Sequence, residues 1–343
     1  MSYYLWFIII FIILWLLRKY IFNAPRNSKT KNLNNKVVIL TGSSAGIGKE
    51  TAKDLLKSGA TVIFACRDER KTKAVISDFP TYMQDRAIFI MLDLCRISTI
   101  YKFVEEFKKQ FNTVDILINN AGCLSNTFQL TEDKIENTMQ ANHIGHMVLT
   151  TLLLENFNQS EGRIINLASG AAELFSDFNL EKIKELQNNL DYNNIYYDSV
   201  KESMITYGNS KLANIYYTNF LKDVTERKYN WIKAFSVHPG AVNTELTRYI
   251  EGIMPKAFVY ITVCLCYPLF WYFSKDSEIG AQTSLYLCYE GIEKLENGDY
   301  YESCAKSKKG EKSLNREMQD EFMKYSWMLI DKAIKGKFEI MKP

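Results

Sequence analysis

Apolar residues in this chain gather into short unbroken runs, separated by longer stretches in which they recur at helical spacing. Residues 37–40, Val-Val-Ile-Leu, are aliphatic without interruption, as in a strand buried on both faces of a parallel sheet. Comparable runs at 61–65, 88–92, 114–118, 163–169 and 232–237 predict further strands, and amphipathic stretches near 97–111, 131–155, 207–226 and 276–291 predict helices among them. Strand and helix in alternation mean a doubly wound parallel α/β sheet rather than a repeat array or a bundle. Residues 299–302 read as an edge strand, 36–320 as one domain, and 321–343 as a C-terminal helix and tail.

Residues 3–17 are almost wholly apolar, with Tyr3, Tyr4 and Trp6 at one end and Arg18 and Lys19 at the other. Counted out to Phe22 this gives the ~20 residues that span a hydrocarbon core, with aromatic and basic side chains placed for the two interfaces. Residues 1–22 are therefore expected to be a single-pass membrane anchor and 23–35, rich in Asn, Ser and Lys, a polar linker. The competing reading, a cleaved signal peptide, lacks a positive n-region, and Ala24 is followed by Pro25 without a small-residue cleavage site. Arg18, Lys19, Arg26, Lys29 and Lys31 all follow the apolar run, which orients the body to the cytoplasm and leaves the sequon Asn158-Gln-Ser160 unmodified.

Charge and cysteine usage exclude several classes. The net charge of +3 is small and the basic residues are interspersed with acidic ones, so no nucleic-acid partner is expected. Seven scattered cysteines without a C-x-x-C pair suggest neither zinc nor thiol redox chemistry and fit a reducing compartment. His143 and His146 lie three apart on one helix face with no third ligand nearby, so packing or a solvent-facing position is expected rather than metal binding.

Chemistry-bearing motifs sit where strands end. Thr41-Gly-Ser-Ser-Ala-Gly-Ile-Gly48 follows the first strand, with Gly42 for a tight exit, Gly46 for close approach of a pyrophosphate, and Gly48 for helix packing. The helix that follows aims its free N–H groups and positive dipole end at phosphates. Arg67, at the end of the second strand, suits the extra phosphate of NADP better than the ribose hydroxyl of NAD; the alternative is a surface arginine paired to Asp68 or Glu69. Asp93 ends the third strand, placed to accept a bond from an adenine amino group. Asn119-Asn-Ala-Gly122 ends the fourth, leaving small residues and amides beside a cofactor. Ser169 ends the fifth, and Tyr207 and Lys211, four apart, share a face at the start of a long helix. A lysine ammonium beside a phenol favours phenolate and lowers its pKa from ~10 towards working pH.

Thr41 to Gly48, Asn119 to Gly122, Asn142, Ser169, Tyr207 and Lys211 together resemble the short-chain dehydrogenases/reductases. Ala65-Cys-Arg-Asp68, Ala141-Asn-His-Ile-Gly-His146, Tyr207-Gly-Asn-Ser-Lys-Leu-Ala-Asn214, Val237-His-Pro-Gly-Ala-Val-Asn-Thr-Glu-Leu246 and Gly280-Ala-Gln-Thr-Ser284 are similar to the microsomal retinol dehydrogenase branch. The resemblance implies a Rossmann-like sheet, NADP(H) rather than NAD(H), and a lipophilic alcohol or carbonyl substrate, with retinol/retinal the named candidate and steroid or fatty aldehydes the rivals. It implies that Tyr207 exchanges a proton with the substrate oxygen, Ser169 bonds that oxygen, Lys211 tunes Tyr207 and holds ribose hydroxyls, and Asn142 holds a relay water. Cofactor contacts are implied for Gly42, Ser44, Gly46, Ile47, Gly48, Arg67, Asp93, Asn120, Ala121, Gly122, Tyr207, Lys211, Pro239, Gly240, Val242 and Thr244. His238 reads as a rigid loop residue.

The same resemblance places a substrate lid at 257–273, an apolar block interrupted by Pro268 that reads as a membrane-dipping segment or as a buried core or dimer helix. It also implies the endoplasmic reticulum membrane; it leaves the oligomeric state open, monomer or homodimer, the helices of Asn142 and Tyr207 resembling those that pair in family dimers. Ser169 and Tyr207 stand 38 positions apart, longer than is usual in that branch, with an acidic, Asn- and Tyr-rich insertion at 179–197 bordering the substrate mouth. A non-catalytic nucleotide-binding scaffold is the rival of a different class.

Overall fold

The computed structural model describes residues 3–18, 26–125, 127–181, 195–196, 200–242 and 274–334. After helix α1 (Tyr3–Leu17) come β1 (Val37–Thr41), α2 (Gly46–Lys57), β2 (Thr61–Cys66), α3 (Glu69–Ser77), β3 (Ala87–Met91), α4 (Ile97–Gln110) and β4 (Ile116–Asn119). Helix α5 (Gly145–Leu153), β5 (Gly162–Leu167), α6 (Val200–Lys228), β6 (Ile232–His238), α7 (Gln282–Tyr289), β7 (Tyr300–Glu302), β8 (Ala305–Ser307) and α8 (Arg316–Ile334) follow. One sheet has the order β8-β7-β6-β5-β4-β1-β2-β3, and every pair in it is parallel except β7 with β8. The strand order reverses between β1 and β4, and open α/β sheets bind ligands at such a switch point, beyond the carboxyl ends of the strands.

Both faces of the sheet are covered, which is why its strands read as unbroken apolar runs. Ile39 faces a layer that includes Phe103 and Phe107 of α4, Val148 of α5, Leu212 of α6 and Phe322 of α8. Its neighbours Val38 and Leu40 face the opposite layer, with Leu55 of α2, Val75 of α3 and Leu285 of α7. Helix α8 closes the first layer. Phe322 packs edge-on against Phe178 at 4.6 Å and 5.4 Å from His143, whose Nε2 is 3.3 Å from Ser326 Oγ. The part of the Asn142 and Tyr207 helices nearest His143 is thus already covered by the chain's own C-terminal helix.

Several elements differ from their sequence-based bounds. The helix expected over 131–155 begins only at Asn137, because Lys134 takes a positive φ of 62° and the Glu136 carboxylate caps the N–H groups of Thr138 and Met139. Its next turn, Gln140–Ile144, is π-helical before α5 resumes the α pattern. Tyr207 lies two turns inside α6 rather than at its start. Residues 300–302 are not an edge: β8 pairs outside β7 through a two-residue turn in which Ser303 and Cys304 both have positive φ. Neither residue carries the Asn-Gly signature of such a turn.

Helix α1 has 15 residues, which at 1.5 Å per residue is about 22 Å. Among the described residues no helix is long and apolar enough to cross a membrane. The extension to Phe22, the lid at 257–273, most of the insertion at 179–197, Thr244 and the tail beyond 334 lie outside the described residues.

His143 and His146 are both fully buried, and burial pushes their pKa values down from 6.5, to about 4 and about 3. In the unfolded chain they titrate near the ordinary value. The stability they contribute as neutral side chains is therefore complete above pH 6.5 and is lost as pH falls towards 4, because only the unfolded chain takes up their protons. From His143 and His146 together, unfolding free energy from urea titrations is expected to fall by roughly 4 kcal/mol between pH 7 and pH 5, and a His143→Leu variant should lose about half of that contribution. An unchanged slope in the variant would show that His143 is protonated inside the fold.

Candidate active site

The carboxyl ends of β1, β2, β4 and β5 open onto a cleft of about 710 Å³. The glycine turn after β1 forms one wall. Gly42 and Gly46 have φ of +67° and +52°, the left-handed region that glycine enters without strain. Gly48 is required by space: an added Cβ would lie 2.3 Å from the Gly42 carbonyl oxygen and 2.6 Å from Asn120 Nδ2. No side chain caps the N-terminus of α2, so its first N–H groups face the cleft.

The Asn-Asn-Ala-Gly segment does more structural work than its sequence suggests. Asn119 is buried within the sheet and donates to Asn166 Oδ1 at 2.8 Å and Thr150 Oγ1 at 3.0 Å, so its side chain lies away from the cleft. Asn120 Nδ2 donates to the Thr41 carbonyl at 2.8 Å, and the N–H groups of Asn120 and Ala121 both meet Thr41 Oγ1 at 2.9 Å. His146 joins this network, with Nε2 2.9 Å from Thr41 Oγ1 and Nδ1 3.0 Å from the Asn142 carbonyl. A carbonyl only accepts, so Nδ1 carries the proton and Nε2 accepts the Thr41 hydroxyl.

Asn142 does not line the cleft. Its amide clamps the Cys123 backbone, accepting from the N–H at 2.7 Å and donating to the carbonyl at 2.9 Å, and it also donates to Ser210 Oγ at 2.9 Å. The side chain is fully engaged in holding the Gly122–Cys123 wall. Lys211 packs against that wall: an added Cβ at Gly122 would lie 3.4 Å from both Lys211 Nζ and Asn142 Oδ1. Lys211 Nζ donates to the Leu167 carbonyl at 3.1 Å, and burial lowers its pKa to about 8. Tyr207 hydrogen-bonds Ser169, and Lys211 Nζ is 5.7 Å from the tyrosine ring centre. Contrary to the sequence-based expectation, the Tyr207 phenol is pushed up to about 12. Burial dominates, and only the bond to Ser169 opposes it.

His238 ends β6 with Nδ1 accepting from the N–H groups of Gly170 and Gly240, each at 3.3 Å, while Nε2 lies 3.8 Å from Glu302. It locks the loop after Ser169 to the Pro239–Gly240 turn. Gly42, Ser44, Gly46, Ile47, Gly48, Arg67, Asp93, Asn120, Ala121, Gly122, Tyr207, Lys211 and Pro239 line the cleft; Asn142, Ser169, Gly240 and Val242 stand behind it or at its rim. Arg67 is exposed at the far end, and the side chains that could have paired with it are engaged elsewhere: Asp68 caps α3 at the Lys71 N–H, and Glu69 meets Lys73 at 2.6 Å. Asp93 accepts the Cys95 N–H at 3.0 Å. Lys71, Cys95 and Cys123 also line the cleft and were not singled out in the sequence. Lys71 was legible in principle, one helical turn beyond Arg67.

Comparison with known proteins accords with this geometry. The short chain dehydrogenase family matches residues 36–178. Retinol dehydrogenase 11 of Mus musculus is 36% identical over 276 residues, covering 79% of this chain and 79% of its own. The chain belongs to the short-chain dehydrogenases/reductases. Retinol dehydrogenase 14 of Mus musculus is 30% identical over 328 residues, covering 89% of this chain and 90% of its own. Among solved structures, an uncharacterised protein from Mycobacterium paratuberculosis superposes with a TM-score of 0.66 at 24% identity, covering 90% of this chain and 96% of that one. A Shigella flexneri protein described as a short chain dehydrogenase and complexed with NADP has a TM-score of 0.54 at 20% identity, covering 81% of this chain and all of that one. These structures share the fold. As a member of this family the protein is an oxidoreductase acting on CH–OH donors, and it uses a nicotinamide cofactor.

The residues present fit such a cofactor. Positive-φ glycines and the N-terminus of α2 suit a diphosphate, and Tyr207 with Lys211 occupies the opposite end of the same cleft. Gly48→Ala is expected to weaken NADPH affinity by at least about tenfold, read by fluorescence of the bound nucleotide, because the methyl group must displace either Gly42 or Asn120. Unchanged affinity would move the diphosphate away from this turn.

Proposed function

We propose that the enzyme is a membrane-anchored, NADP(H)-dependent oxidoreductase that interconverts a lipophilic alcohol and its aldehyde or ketone, with retinol and retinal as the substrate pair. The observation that carries the reading is one cleft with Tyr207, Lys211 and the nearby Ser169 at one end and two cations, Arg67 and Lys71, at the other. The relatives named retinol dehydrogenase support the choice of substrate.

The cofactor supplies the hydride. Tyr207 carries the proton that the carbonyl oxygen receives on reduction, and its raised pKa keeps it protonated at neutral pH. Ser169, bonded to Tyr207, presents its hydroxyl to the same oxygen. Lys211 places a cation behind the phenol, where it stabilises negative charge left when the proton moves. Asn142 acts as a positioning residue, holding the Gly122–Cys123 wall beside Lys211. Arg67 and Lys71 suit the 2′-phosphate of NADP.

Anchoring rests on the apolar run of α1 and the basic residues that follow it, with the domain facing the cytoplasm and the endoplasmic reticulum as its membrane. The sequon at Asn158 is a poor reporter of topology, because its amide donates to Asp115 at 2.9 Å and its oxygen accepts from Ser160. Protease protection of the intact membrane protein serves instead. Within the insertion, Ile195–Tyr196 pairs with Thr127–Phe128 next to cleft-lining Ser125. This supports a role for the insertion in substrate choice.

The test is NADPH and NADH oxidation by membrane-reconstituted enzyme with all-trans-retinal, a steroid ketone and a medium-chain aldehyde. Tyr207→Phe is expected to lose turnover by about 10²-fold or more while keeping cofactor affinity. A variant with unchanged function would favour a nucleotide-binding scaffold. Arg67→Glu should reduce the preference for NADPH over NADH by about ten- to a hundredfold, the worth of one charge-assisted bond. An unaltered ratio would assign the phosphate to other residues.

A further inference from the structure

Residues 26–31 are laid along one face of a helix instead of hanging free. Arg26 Nη1 meets Glu278 Oε1 at 2.7 Å, and the Asn27 N–H donates to Gln282 Oε1 at 3.0 Å. Lys29 pairs with Glu290 and lies 5.8 Å from the ring centre of Tyr286. Residues 278, 282, 286 and 290 are four apart, so the contacts climb a single stripe of the helical stretch ending in α7. Lys31 continues to Glu161 at 2.8 Å, and Leu33, 2% exposed, enters the core.

Exposed ion pairs are individually weak. This series has a firmer end, because the Glu290 side chain is buried and its backbone carbonyl is bonded at 2.8 Å by the buried Arg163. At the other end, Arg18, just after α1, meets Asp276 at 3.0 Å. The adjacent Lys275 donates its N–H to the Ala241 carbonyl at 2.7 Å and lies over Gly240, where an added Cβ would be 2.8 Å from its Cδ. The base of α1 is therefore joined through two residues to the turn at the cleft's rim. A free chain of this length would wander over on the order of 20 Å.

We propose that Arg18 and residues 26–31 are a strap that fixes the catalytic domain on a lipid bilayer, holding the 239–242 rim of the cleft at the bilayer surface so that a lipophilic substrate reaches Tyr207 from the lipid. The bilayer is the partner because Trp6, Phe11 and Trp15, at 53%, 71% and 51% exposure, present a large unburied apolar surface on α1. This inference rests on the reading of a membrane-anchored oxidoreductase.

Its test uses the full chain in phosphatidylcholine vesicles. Arg26→Glu with Lys29→Glu releases the strap from outside the core, and Arg26→Glu with Glu278→Arg swaps one pair. In vesicle-bound wild type, the Asn27 amide, which donates to Gln282, should be protected from hydrogen exchange, and the releasing variant should lose that protection. The releasing variant should raise KM for vesicle-dissolved retinal at least fivefold, with kcat/KM for a water-soluble short-chain aldehyde kept within twofold, and the swapped variant should recover the wild-type KM. An unprotected Asn27 amide in the wild type, or an unchanged retinal KM once the strap is released, would overturn the strap. Wild type that stays in the aqueous phase would overturn the anchor and the strap together. Bound protein that turns over no aldehyde would count against the catalytic reading, and amide protection would still decide whether the strap exists.

Discussion

The hydroxyl of Thr41 is the point on which the site depends. It accepts the N–H groups that follow β4, donates to His146, and through His146 reaches the carbonyl of Asn142. Each partner is buried or nearly so, and an unpaired polar group there costs more than a pair gains. The glycine turn, the Asn120–Cys123 wall and the π-helical turn of Asn142 are thereby one rigid body. Neutral His146 is part of that arrangement. Burial keeps its second nitrogen unprotonated, and protonation would remove the acceptor that orients Thr41.

A second constraint concerns charge. Lys211 is buried beside Tyr207, among the described residues without a carboxylate partner on its ammonium, and its pKa falls to about 8 while that of the phenol rises. Desolvation, which disfavours either charged form, is the largest cause of both shifts. The pair is consequently a neutral phenol beside a buried lysine. His238 ties the loop after Ser169 to the rim of the cleft.

Much of this was legible in the amino-acid order. Unbroken runs such as 37–40 identify buried parallel strands because both faces of such strands meet helices, and Gly42, Gly46 and Gly48 mark a turn where only glycine fits. Tyr207 and Lys211 share a helix face by spacing alone. These features are local, set by backbone sterics and by the periods of helix and strand.

Other features depend on residues far apart in the chain. That Asn119 braces the sheet while Asn120 staples the glycine turn, that Asn142 clamps Cys123, and that the phenol's pKa rises all follow from partners brought together from different strands and helices. The polar segment at 26–31 reads as a linker because its partners, Glu278, Gln282 and Glu290, lie some 250 positions away. Hydrogen bonds and desolvation act between neighbours in space, so their sign and strength were settled only when the sheet had placed those neighbours.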